Sequence, residues 1–263
     1  FNDVNNQKAE VILYRPTGES GDFEKANFPI GVEGGKTSTC PTQNLMEAYD
    51  MKDGTPFVWN NQSDPYDNRD PRMKYTIVCN EMKWPVDPVE IWEGGTNGLP
   101  LQNATTTGYY LKKYVNNTIS FEAGSTVTKK QHNWVLFRYG EILLNYAEAM
   151  INAFHDPNYK DAVYNMSARE AVNQIRGRTN ISLPGFPSDI TEKDFVKRLK
   201  NERRVELAFE GHRFWDVRRW KELGQTANIY GVKITKNNEV ISYEKFLLET
   251  RAVTDNMYFY PIP

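Results

Sequence analysis

Between Asn201 and Trp220 the chain interleaves five arginines (Arg203, Arg204, Arg213, Arg218, Arg219) and four acids (Glu202, Glu206, Glu210, Asp216) with large apolar side chains. Val205, Ala208, Phe209, His212 and Trp215 fall on one stripe, and Glu202, Glu206 and Glu210 recur every fourth residue on another, so the spacing predicts a helix. Gly211 in its middle costs roughly 1 kcal/mol against Ala in an exposed helix. It marks either a close packing contact or a break into two shorter helices. The charges nearly cancel, so this is no polyanion-binding patch. Pairs three apart, Arg203 with Glu206, Glu210 with Arg213 and Asp216 with Arg219, can meet on one helix face, and the arginine fork suits partly buried carboxylates or stacking on Trp215 and Trp220. The favoured reading is a structural network of ion pairs and aromatics, with Trp134, Trp215 and Trp220 in the core because they sit on helices. A catalytic Glu206, Glu210, His212 or Asp216 is the alternative.

Other helices are expected around it. Thr42 can cap a short helix over Asn44 to Asp50. Leu136, Tyr139, Leu143, Tyr146, Ala147 and Met150 keep a three-or-four spacing, which predicts an amphipathic helix from Trp134 to Ala153. A second is expected over Asp161 to Arg176, ending at Gly177, and the two resemble a tetratricopeptide-like pair. Thr191, with Glu192 and Asp194 behind it, caps a third that leads into the opening segment. Strands are expected near Ala9 to Arg15, Tyr75 to Cys79 and Gly108 to Val115. A hairpin of Tyr230 to Lys236 with Val240 to Tyr243 turns at Asn237-Asn238, and Met257 to Pro263 reads as an aromatic strand or extended tail. The fold class is mainly α with long irregular loops and a few short β strands. The chain divides into a loop-rich part (1–133), a helical scaffold (134–223) and a C-terminal hairpin and tail (224–263).

From Lys52 to Gly108 the chain is rich in Asn, Asp, Pro and Gly and interrupted by indoles and phenols; long ordered loops of this kind are commonly functional. Sugars present hydroxyls at their edges and C–H patches on their faces, so aromatic platforms beside amides match both. Trp59, Tyr66, Trp84, Trp92 and Asn97 are the candidate ligand-binding residues, each weighed against an ordinary place in the core. Asp64, Asp67 and Asp70 with Asn60 and Asn68 could offer calcium several oxygens, although turn-forming and arginine-pairing roles are favoured. Two cysteines, Cys40 and Cys79, lie far apart without zinc spacing and either pair or stay free. No nucleophile–base motif surrounds His132, His155 or His212, and a glycosidase reading could invoke Glu90 with Glu93 or Asp64 with Asp67, pairs that nothing in the sequence raises above chance. Sequons at Asn61, Asn103, Asn116, Asn165 and Asn180 are at chance frequency. A net charge of −2 encodes no global attraction to nucleic acid or anionic lipid, and no apolar run reaches the length of a spanning helix.

The pattern running from Glu202 through Arg203, Arg204, Glu206, Leu207, Phe209, Glu210, Gly211, Arg213, Asp216 and Arg219 to Trp220 resembles the signature of the SusD/RagB family of outer-membrane glycan-binding lipoproteins. Further blocks agree in order: Pro41 to Tyr49, Asn68 to Arg72, Thr107 to Lys113, Arg138 to Ala149, Asn173 to Arg176 and Tyr258 to Pro263. The resemblance covers the second half of such a protein. It implies a SusD-like fold and non-catalytic capture of oligosaccharide at the cell surface. It also implies delivery to a TonB-dependent outer-membrane transporter and an N-terminal lipid anchor lying outside this chain. It carries over the loop region but no individual sugar-binding residue. The rival readings are a glycoside hydrolase and a helical-repeat scaffold that binds only proteins.

Overall fold

The computed structural model describes residues 9–60 and 64–259. In chain order these form strand β1 (Val11–Ser20), helices α1 (Asp22–Asn27), α2 (Gln43–Met46) and α3 (Pro71–Thr76), and strands β2 (Ile77–Val78), β3 (Tyr110–Leu111) and β4 (Lys130–Arg138). Helices α4 (Tyr139–Phe154), α5 (Ala168–Arg176), α6 (Glu192–Glu206) and α7 (Arg213–Arg219) follow, then strands β5 (Asn228–Asn237) and β6 (Val240–Thr250). The strands make three separate antiparallel ribbons, β1 with β4, β2 with β3 and β5 with β6.

Capping chemistry sets most helix starts. Thr42 accepts from the Leu45 amide to open α2, Thr191 accepts from the Asp194 amide to open α6, and Ser167 with Glu170 forms a reciprocal capping box on α5. The helix starts at Ala168, seven residues beyond the expected start at Asp161, because the Asp161 carboxylate accepts from the Val163 and Tyr164 amides and folds the segment into a turn. The helix expected from Trp134 begins instead at Tyr139. Residues up to Arg138 are extended and pair with β1, with Arg15 opposite Trp134 and Val11 opposite Arg138. Leu136, read as part of the helical stripe, is 55% exposed on that ribbon. Leu143, Leu144, Ala147, Met150 and Ile151 keep the helical period and are buried. α4 ends on His155 in the left-handed region (φ 57°), just before Pro157. Tyr75 and Thr76, expected in a strand, close α3, whose first turn is fixed by the Asp70 cap and Pro71; only Ile77 and Val78 pair as β2.

The opening segment is two helices. α6 stops at Glu206, and Phe209 (φ 61°) and Gly211 (φ 84°) take left-handed conformations before α7. A Cβ on Gly211 would meet nothing within 4 Å, so this glycine serves the chain reversal and not a tight contact. The β5–β6 hairpin turns at Asn238 (φ 54°) and Glu239, with Asn237 opposite Val240. A short 3-10 turn, Asp255–Tyr258, takes in Met257 and Tyr258, the first part of the segment expected as an aromatic strand or extended tail. Tyr260 to Pro263 and the Asn61 sequon lie outside the described residues.

Two apolar cores result. One gathers Phe28, Met46, Tyr49, Tyr66, Met73, Ile77, Trp84, Tyr109 and Tyr110 with Val232, Ile234 and Tyr243 from the hairpin. The other packs α4, α5 and α6 through Leu144, Ala147, Ile151, Val172, Ile175, Phe195 and Leu199. α6 supplies Val205 to the first core and Phe195 and Leu199 to the second, so this helix joins them. Cys40 and Cys79 are both free thiols, and burial pushes the Cys79 thiol up to about 12.

Candidate binding site

Charged residues from several of the motif blocks meet in one buried network along α6. Arg69 is clamped by the carbonyls of Met46, Tyr49 and Pro65, each at 2.7 Å, and so ties down the end of α2. Next to it, Asp70 caps α3 and holds Arg72 at 2.7 Å. Arg72 then reaches Glu202 at 2.5 Å and Glu206 at 2.9 Å. Arg138, where β4 becomes α4, bonds Glu206 at 2.8 Å and Glu210 and Glu10 at 2.7 Å. Arg176, at the end of α5, takes the second oxygen of Glu202 at 2.7 Å. Burial alone would raise the Glu206 carboxyl, but Arg138, Arg72 and Arg178 outweigh it and hold it well below the usual carboxylate range. Glu202 and Glu210 are lowered by the same contest, Glu202 through Arg72 and Arg176, Glu210 through Lys113 and Arg138.

The pairs expected within the segment are mostly replaced by longer-range ones. Arg203 bonds Asp216 at 2.8 Å and Asn145 at 2.7 Å instead of Glu206. Glu210 takes Lys113 and Arg138 instead of Arg213. Asp216 with Arg219 forms as expected, at 2.9 Å, and Arg219 and the Trp220 indole N–H share Glu148. Trp215 is not core but 53% exposed. Trp134 lies on β4 instead of a helix, half-buried against Phe23 with ring centroids 5.0 Å apart.

Beside this network opens a cavity of ≈ 660 Å³, within the size range of small-ligand clefts. One wall is the network itself, Arg72, Arg138, Arg178 and Glu206; the other is Thr76, Lys112 and Tyr114 with the Trp84 edge. α3 ends by presenting Tyr75 at this cavity, 56% exposed. Asn117 and Asn180 also line it, and neither amide side chain bonds protein among the described residues. The β2–β3 ribbon positions Lys112, whose amide donates to Thr76 O at 3.0 Å, and burial holds its ammonium below the ordinary value. An exposed phenol, two unspent amides and the Lys112 ammonium therefore line one cleft whose Glu206 is committed to arginine.

The five candidates from the sequence are not brought together. Trp84 (3% exposed) stacks edge-on against Phe28 in the core and still contributes to the cavity wall. Tyr66 (6%) packs between Tyr109 and Tyr243. Asn97 (5%) accepts from the Gly31 amide at 2.8 Å and, through its carbonyl, from the Tyr110 hydroxyl at 2.6 Å. Trp92 is half-buried under the Lys236 ammonium, 4.4 Å from its ring centroid, and Trp59 packs edge-on to Phe57. The cavity residues Tyr75, Asn117 and Asn180 carry no site signal in the sequence, where Tyr75 falls in an expected strand and Asn180 shows only as a sequon. Asp64 accepts from the Tyr66 amide, Asp67 from Asn68, and Asp70 caps α3, so these aspartates serve turns and pairing. Among the described residues no group of three or more His, Cys, Asp or Glu could hold a metal, and no helix is long and apolar enough to cross a membrane.

Comparison with known proteins places this arrangement. A SusD-like protein from Bacteroides fragilis superposes with a TM-score of 0.78 at 25% identity, covering 97% of this chain and 52% of its own. A SusD-like carbohydrate-binding protein from the same organism gives 0.76 at 24% identity, again over 97% and 52%. SusD-like protein P38 of Formosa agariphila is 37% identical over 91 residues, 32% of this chain and 16% of that protein. The chain thus spans about half the length of these solved relatives and a smaller share of the curated one. The SusD family model matches residues 9–263, so the chain belongs to the SusD family.

Proposed function

We propose that the chain captures an oligosaccharide at the outer-membrane surface without turning it over and passes it to a TonB-dependent transporter, with the cavity at Tyr75 as the sugar site. The observation that carries this is the convergence of an exposed phenol face with the amides of Asn117 and Asn180. The ring suits the C–H face of a pyranose and the amides its hydroxyls. Trp84 backs the cavity wall, while Trp59, Tyr66, Trp92 and Asn97 are assigned to holding the surrounding loops. Family membership and the carbohydrate-binding relative from Bacteroides fragilis support the ligand class. The transporter partner, the lipid anchor and the tetratricopeptide-like character of the α4–α5 pair rest on the family resemblance.

Non-catalytic capture agrees with the acid chemistry. A glycosidase acid must stay protonated near neutrality, whereas Glu206 is driven the opposite way by three arginines. Glu93 faces Lys233 at 3.3 Å, and Glu90 accepts from the Thr96 hydroxyl at 3.2 Å. Affinity electrophoresis against a polysaccharide panel should show retention without release of reducing sugar. Tyr75→Ala should weaken the retained ligand about tenfold, equivalent to about 1.4 kcal/mol, with thermal unfolding unchanged. Equal retention by the variant would remove the site, and product release would remove the non-catalytic reading.

A further inference from the structure

A second cavity, of ≈ 450 Å³, opens on a different face of α6, between α6, α7 and the chain following α2. Its acids are already engaged: Glu47 with Lys245 at 2.8 Å, Asp50 with Arg176 at 3.4 Å and Glu222 with Lys200 at 2.5 Å. Four lining cations, Lys193, Lys197, Arg204 and Arg213, make no carboxylate ion pair among the described residues. Arg204 donates only to the Asn44 carbonyl at 2.7 Å, and Arg213 to the Gln225 side-chain oxygen at 2.8 Å; both acceptors are neutral. Burial, with the Arg213 charge adding to it, pushes the Arg204 guanidinium down to about 10. The cavity therefore holds positive charge that its own walls do not neutralise.

The remaining lining is suited to a sugar ring. Phe57 supplies an apolar wall, and Asn201 spends its amide N–H on the Ala48 carbonyl at 2.8 Å, which leaves its oxygen to accept from a hydroxyl. A guanidinium fork matches the geometry of a carboxylate or sulfate ester, and two forks beside two ammonium groups would favour an anion over any neutral group. We propose that this cavity binds the anionic substituent, carboxylate or sulfate ester, of an acidic oligosaccharide. The ligand class of the protein is then an acidic glycan, a step that rests on the oligosaccharide reading above.

Titration calorimetry with the full chain tests it with oligogalacturonate and its carboxyl-reduced counterpart, and with a sulfated galactan oligosaccharide and its desulfated counterpart. One acidic probe should bind at least tenfold tighter than its neutral partner, with the advantage shrinking as salt rises; which probe it is separates carboxylate from sulfate. Arg213→Gln, and independently the surface double substitution Lys193→Gln with Lys197→Gln, should each cut that preference at least threefold. Neutral probes bound as tightly as acidic ones, or a preference that survives both substitutions, overturns the inference while the sugar reading stands. Absence of binding by all four probes overturns this inference and counts against the sugar reading as well.

Discussion

Replacing Glu206 by Gln keeps the shape of the side chain and removes the charge that three arginines share. Glu206 is 5% exposed and contacts Arg178 at 2.6 Å, Arg138 at 2.8 Å and Arg72 at 2.9 Å. Breaking a buried ion pair from one side costs about 3–5 kcal/mol, because the remaining charge stays desolvated. Here the damage is shared. Arg72 keeps Asp70 and Glu202, Arg138 keeps Glu210 and Glu10, and Arg178, which loses its closest carboxylate, has a side chain 33% exposed and can turn to water. The lower end, about 3 kcal/mol, is therefore expected. At about 2–4 °C per kcal/mol for a chain of this size, Tm should fall by about 6–12 °C at pH 7.

Differential scanning calorimetry reads this directly, with Lys160→Gln as the control. The Lys160–Glu170 pair is as short, 2.8 Å, but 46% and 39% exposed, and such surface pairs contribute little. A drop below about 2 °C for Glu206→Gln, or an equal drop for the control, would refute the claim that this network holds the two cores together.

The same charges set the acid limit: Glu202, Glu206 and Glu210 have folded pKa values below their ordinary 4.5, so the stability they confer is complete above that value. It is lost as pH falls through the lower folded values; Asp50, raised by burial, opposes the trend. Urea midpoints should be flat from pH 8 to 5.5 and fall steeply below about 4.5, and the fall should be shallower in Glu206→Gln. Gly108 and Gly211 both sit at positive φ, yet a Cβ on Gly108 would lie 2.4 Å from the Val232 carbonyl oxygen and one on Gly211 in open space. Gly211→Ala should cost about 1–2 kcal/mol and Gly108→Ala clearly more in the same denaturation assay; equal costs would contradict the placement of β5. Trp84→Ala should destabilise by about 3–5 kcal/mol, because its ring is in the core, and Trp92→Ala by much less; a neutral Trp84→Ala melt would refute that burial.

Much of the architecture was legible because local rules were not overridden. Thr42 and Thr191 cap where their hydroxyls predict, and the hairpin turns beside Asn237 as its composition requires. Some misreadings are local, as where the Asp161 turn delays α5 and the Asp70 cap draws Tyr75 into α3; in the others, partners far along the chain decided the outcome. Trp134 to Arg138 carries a pattern compatible with helix, and pairing with β1 some 120 residues earlier makes it a strand. Glu206 and Arg203 have the spacing of a helical pair, but Arg72 and Arg138 offer Glu206 buried charge, and Asp216 offers the same to Arg203. The loop aromatics show the same limit for the site. Composition marks Lys52 to Gly108 as aromatic and amide-rich, but only the fold shows that Tyr66 and Trp84 face inward while Tyr75 reaches the surface.

Tyr75 and the ion-pair network line one cavity. Arg72 packs its charge into α6 and lies in the same short helix, α3, that carries Tyr75, so the ion pairs fix the phenol's mounting point while leaving its ring outside. A ring held on a rigid element loses little freedom when a sugar stacks on it, and binding energy is then not consumed in ordering the loop. The two substitutions should therefore separate. Tyr75→Ala removes the contact surface and leaves Tm intact, whereas Glu206→Gln lowers Tm and, well below the transition, weakens the sugar only as far as α3 loosens. If Glu206→Gln instead abolished binding at a temperature where the protein remains fully folded, the carboxylate would be touching ligand, and the assignment of this network to scaffold would have to be given up.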